Sequence, residues 1–346
     1  MSNYLPVRPD WLARGREPPL DPDLPIIDAH HHLWDRPGWR YLLDELLADI
    51  REGGHRIVAT GFMQAQAMLR ADGPPELRTV GETEFANGVA AMAASGTYGP
   101  TRACAWIVGQ ADLRLGAAVE AVLEAHILAG GGRFRGVRHI TVWDADASLM
   151  NPLSAGPPGV LGDARFREGF ARLAPLSLSF DAWLFHPQLD ELTSLAQAFP
   201  DTTIVLDHLG GVLGAGAYAG RRDEVFARWS ASIRALARRP NVAVKLGGLG
   251  MRINGFGFEQ GPAPPSSEAL AAAWRPYLET CIEAFGADRC MFESNFPVDK
   301  GSCAYGTVWN AFKRVAHGLG EEDRRALFSG TAARIYRLDP HAAVWR

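Results

Sequence analysis

Short apolar runs alternate along this chain with longer segments in which apolar residues return every three or four positions. The runs at 24–29, 56–63, 102–108, 134–142, 178–185, 203–206, 242–246 and 290–293 predict strands. Helical spacing follows each of them, at 40–52, 82–95, 116–129, 165–173, 188–199, 223–238 and 267–285, with a last pair at 304–317 and 321–328. In the first helix Leu42, Leu43, Leu46, Leu47 and Ile50 make one stripe, and Gly53-Gly54 stops it. A helix between successive strands forces a crossover, so the strands run parallel. Eight such pairs predict an α/β fold, a single (β/α)8 TIM barrel, rather than an open sheet with two edges. No repeat or linker divides the chain. Residues 25–346 are expected to form the barrel domain, with the proline-rich stretch 1–24 as an extension packed on its outside.

Composition narrows the partners. A formal net charge of -4 over 346 residues gives no electrostatic reason to expect nucleic acid or an anionic membrane. No apolar run approaches the roughly 20 residues that span a bilayer. The first 25 residues carry prolines and charges rather than the apolar core of a signal peptide. Cys104, Cys281, Cys290 and Cys303 lack metal-type spacing and suit a reducing compartment, so the cytoplasm is expected. A small molecule is the expected partner, and a homo-oligomer is compatible with the sequence.

The chemistry is expected where barrel enzymes keep it, at the C-terminal ends of the strands. The first strand ends in Asp28-Ala29-His30-His31-His32; strict alternation puts Asp28, His30 and His32 on one face and His31 on the other. Two neutral imidazoles side by side are half of a divalent-metal site. The later strand ends carry Gln64 and Gln66, Arg138 and His139, His186, Asp207 and His208, Lys245, and finally Glu293, Asn295 and Asp299. Five of the ten histidines fall at these ends, which points to a reaction site. Each residue also has a structural reading. Lys245 could pair internally with Glu293 or Asp207, and Arg138 could form a rim salt bridge instead of clamping a carboxylate. Trp34, Trp143, Trp183 and Phe296 could wall a pocket or fill the core. Gly210-Gly211 reads as a tight turn, since no G-x-G-x-x-G follows.

Taken in order, Asp-x-His-x-His, Gly-Val-Arg-His, Asp-His-Leu-Gly-Gly and Asn-Val-x-Val-Lys-Leu resemble the motifs of the amidohydrolase superfamily. The resemblance is to its lactonase-rich branch of metal-dependent barrel hydrolases, which includes sugar-acid lactonases and 2-pyrone-4,6-dicarboxylate lactonase. It implies hydrolysis of a lactone or similar cyclic ester, in carbohydrate or aromatic catabolism, by water that a histidine or a metal activates. His30, His32 and His208 would hold or adjoin a divalent ion, usually zinc, with His186 as a further ligand; some members of the branch need no metal. Arg138, His139, Lys245 and His186 would contact the substrate. The chain departs from the pattern after strand 8. Relatives carry Ser-Asp-Trp-Pro there, and the aspartate takes a proton from water; this chain has Ser294-Asn295-Phe296-Pro297. An amide is no base at neutral pH. Glu293 or Asp299 is the expected replacement, with a histidine base as the next reading. An aromatic-acid decarboxylase and a non-catalytic binding barrel are the alternatives.

Overall fold

The computed structural model describes residues 4–153 and 155–339; residues 1–3, 154 and 340–346 of the two expected segments lie outside the described residues. Eight parallel strands form one sheet in chain order: β1 (Ile26–His31), β2 (Ile57–Met63), β3 (Arg102–Gly109), β4 (Phe134–Val137), β5 (Ser179–Ala182), β6 (Ile204–Leu206), β7 (Val242–Leu246) and β8 (Cys290–Phe292). The cylinder closes just beyond β8, where the Asn295 amide donates to the His30 carbonyl at 2.9 Å and the His32 amide to the Phe296 carbonyl at 2.8 Å. The seam of the TIM barrel therefore runs through three expected site residues.

Each strand leads to a helix: α1 (Leu43–Gly53), α2 (Val80–Ala94), α3 (Val119–Ala129), α4 (Ala164–Phe170), α5 (Leu189–Ala198), α6 (Arg222–Leu236), α7 (Ser267–Phe285) and α8 (Tyr305–Val315). α1 buries Leu43, Leu46, Leu47 and Ile50 as its spacing predicts. It starts later than expected because residues 34–41 form a hairpin, Trp34–Arg36 against Trp39–Tyr41, around Pro37-Gly38. That hairpin places Trp34 against the His32 ring. α7 begins where the Ser266 hydroxyl accepts from the Ala269 amide.

Ile27, Ala29, Met63, Trp106, Val205, Ala243 and Met291 pack with Tyr336 into a core separate from the one between strands and helices. This is the filled interior of the barrel. Trp106 fits there because Gly61 has no side chain: a Cβ would meet the indole at 2.1 Å. Tyr336, just after the terminal helix Thr331–Ile335, stacks on Trp106 at 4.6 Å. No described helix is long and apolar enough to cross a membrane, and all four cysteines are free and buried.

Candidate active site

β1 does not keep strict alternation. Its pairing with β2 shifts between Asp28 and His31, and such a bulge changes which face the following residues take. Asp28 therefore leaves the face of His30. It accepts from the Ser294 hydroxyl at 2.6 Å and from the Tyr305 hydroxyl of α8 at 2.9 Å, which corrects its expected place beside the imidazoles. His31 also turns away, toward Thr60 and Phe62.

His30, His32 and His208 do come together. The Nε2 atoms of His30 and His32 are 3.1 Å apart, and the His30 and His208 rings lie 4.5 Å apart. Their partners fix their tautomers. His32 Nδ1 lies 2.9 Å from the Met63 carbonyl, which only accepts, so Nδ1 carries the proton and Nε2 a lone pair. Glu293 does the same for His208 and lies close to His30. Its Oε1 is 2.6 Å from His208 Nδ1, and its Oε2 is 3.0 Å from His30 Nδ1. The carboxylate thus fixes His208 with its Nε2 turned away, while at His30 Nδ1 it is joined by the Lys245 ammonium at 3.4 Å. Burial alone would raise its pKa, but His208 and His30 outweigh burial and hold it at about 2. Burial, with Lys245 next, lowers His30 to about 4, and burial beside His30 and Arg138 keeps His32 well below its ordinary value. Both are neutral at pH 7, the state that binds metals and takes protons.

Two lone pairs facing each other at 3.1 Å fit a shared cation, because tetrahedral zinc with Zn–N near 2.0–2.1 Å sets its ligand nitrogens roughly 3.3 Å apart. The backing of each ring by a carbonyl or carboxylate is the usual support of such ligands. A donor atom from each of His30, Asp207 and His208 also lies within 4.8 Å of the others. Asp207, however, is spent on ion pairs to Lys245 at 2.9 Å and Arg138 at 3.3 Å. The His30–His32 pair carries no such salt bridge at its facing Nε2 atoms, although Arg138 Nη1 also lies 3.3 Å from that of His30.

Several expected contacts fall elsewhere. Lys245 is fully buried between Asp181 (2.6 Å) and Asp207 and does not line the cavity. His139 turns outward onto Phe166, with Nδ1 3.2 Å from the Leu113 amide. His186 packs on Tyr218, accepts from the Leu213 amide at 3.3 Å, and is neither with the three histidines nor on the cavity wall. Asp299 also lies behind the wall, accepting from Asn295 Nδ2 and the Gly250 amide at 2.8 Å each. Burial raises it to about 7.

The cavity, about 820 Å³ with its open mouth, is lined by His32, His208, Arg138, Gln64, Gln66 and Asn295 on its polar side. Trp34, Trp183, Phe185, Ile140 and Leu149 line the apolar side; Trp143 and Phe296 do not reach it. Arg138 and Arg252 are its charged side chains among the described residues, and no acid lines it. Arg138 reaches His30 Nε2 at 3.3 Å and donates to the Gln64 carbonyl. Sequence reasoning missed three features. Asp181, a lone acid in an apolar strand, was detectable. The Met63 carbonyl and the entry of Tyr4 and Leu5 into the cavity wall leave no mark in the sequence.

The site is therefore paired histidines at one mouth of a closed barrel, with a carboxylate behind them. The profile of the amidohydrolase family matches residues 27–338, and the chain belongs to that family. It is an enzyme of the amidohydrolase superfamily. It is 32% identical to the y4mH protein of Sinorhizobium fredii over 338 residues, 91% of this chain and 99% of that one. It is 32% identical to an L-fucono-1,5-lactonase of Burkholderia multivorans over 237 residues, 67% of this chain and 71% of the relative. Among solved structures, an amidohydrolase from Burkholderia multivorans with bound zinc superposes with a TM-score of 0.70 at 28% identity, covering 91% of this chain and 99% of that chain.

Proposed function

We propose that this chain hydrolyses the ring ester of a small lactone, with His208 as general base. The observation that carries this reading is the His208–Glu293 pair, 2.6 Å long, on the wall of a cavity without acids. The lactonase relative supports the choice of ester. As water attacks the carbonyl carbon, a C–O bond forms and its proton passes to His208 Nε2. Glu293, ionised and buried, offsets the charge of the resulting imidazolium. The negative charge that develops on the carbonyl oxygen faces Arg138. The ring C–O bond then breaks, and the proton on His208 goes to the leaving alkoxide. The product is an open-chain hydroxy acid, whose carboxylate meets no acid in the cavity.

Asn295 stands where relatives have an acid, and its amide is fixed by donation to Asp299. Neither it nor Asp299 takes the proton in this reading, and Glu293 acts through the imidazoles. His30 and His32 would hold a divalent ion such as zinc, which supplies carbonyl polarisation and a lower pKa for water. The test is acid release from a panel of lactones at constant pH, with the zinc content of protein purified without chelator measured alongside. His208→Gln should lower kcat on the order of 10²-fold to 10⁴-fold while the fold is kept. Undiminished turnover would sink the mechanism.

A further inference from the structure

Gln64 lies one residue past β2, and its backbone is fastened on every side. Its amide donates to the Val108 carbonyl at 2.9 Å, its carbonyl accepts from Arg138, and the preceding carbonyl holds His32. Its side chain is completely buried on the cavity wall, yet neither Oε1 nor Nε2 has a partner among the described residues. Gln188 shows what a structural buried glutamine does in this fold. Its Oε1 accepts from the Trp143 and Phe185 amides, and its Nε2 donates to the Thr141 carbonyl at 2.8 Å. A buried amide lacking all its bonds is costly, and native proteins supply the partner from a ligand or water.

The neighbours say what that ligand presents. Arg138 Nε and Asn295 Oδ1, on the same wall, are also without partners. Together these atoms offer donors and acceptors side by side. An ammonium would meet Arg138, and a carboxylate would face the amide oxygens of Gln64 and Asn295. A hydroxyl both donates and accepts, and fits. The aromatic faces of Trp34 and Trp183 complete a slot with one apolar and one polar side.

We infer that Gln64 is a specificity-determining residue whose amide pairs with a hydroxyl on the substrate ring; this rests on the lactonase reading. A site built to bond a hydroxyl discriminates against the analogue lacking it. The parent and Gln64→Leu are compared on glucono-1,5-lactone and on δ-valerolactone, the same six-membered ring without the hydroxyl and hydroxymethyl groups. In the parent, kcat/KM should favour the hydroxylated ring on the order of 10-fold to 100-fold, and in Gln64→Leu that ratio should collapse toward one. The melting temperature of Gln64→Leu should equal or exceed the parent's, since an apolar side chain replaces an unpaired amide. A preserved ratio, or a clearly lowered melting temperature, overturns the inference and leaves lactone hydrolysis standing. A parent that opens neither ring, nor any other lactone of the panel, removes both.

Discussion

Glu293 shows how one side chain organises the site. One oxygen sets the His208 tautomer and the other lies 3.0 Å from His30 Nδ1, so it bears on both rings at once. Replacing it by glutamine keeps the shape but puts an NH₂ opposite one of the two rings. Glu293→Gln should lower kcat about 10²-fold to 10⁴-fold, by analogy with amide substitution in other His–carboxylate pairs, with KM less affected. Steady-state kinetics on one lactone checks this, and a change confined to KM would contradict it. At this scale the sequence located His30, His32, His208 and Arg138, because they sit at strand ends and are chemically distinctive. It could not separate them from His139 and His186. Those two also end strands, but they turn to Phe166 and Tyr218, and one residue of register decides which way a ring points.

Among the elements, the turn after β7 matters most to the site. Gly248 has φ of +67°, and a Cβ on it would meet the His208 ring at 2.5 Å. Gly248→Ala combines a strained backbone with a collision against the proposed base. Its kcat should fall at least about 10-fold, on the sensitivity of catalysis to small misplacement, while far-ultraviolet circular dichroism stays that of the parent. Full activity in that variant would mean that His208 has room to spare. All eight helices were legible within about three residues at either end, whereas β4 and β5 stop at Val137 and Ala182, short of the expected 142 and 185. The first helix was misread at its start because the 34–41 hairpin is anchored by rings distant in sequence, Tyr4 among them. The β1 bulge was equally hidden, since it depends on how β2 pairs rather than on any residue type.

Over the whole molecule, both the first and the last of the described segments are built into the barrel. Tyr4 and Leu5 join the cavity wall, although the extension was expected only on the outside. From the other end, the Tyr336 hydroxyl donates to Asp181 at 2.6 Å, and Asp181 holds Lys245, which in turn holds Asp207 beside His30. Tyr336→Phe removes a bond to a charged group and should cost about 1.5–3 kcal/mol in urea-induced unfolding. An unchanged midpoint would show that the phenol adds nothing. The overall architecture was legible because crossover rhythm specifies a closed cylinder; this inner ladder was not, because it joins residues 155 positions apart.

That ladder makes the reaction centre a late product of synthesis. Every histidine that matters has left the ribosome long before the final helix, yet the aspartate that pairs with the lysine beneath them lacks its hydroxyl donor until the last phenol docks. Nascent chains halted short of it would carry the complete chemistry on an unfinished floor.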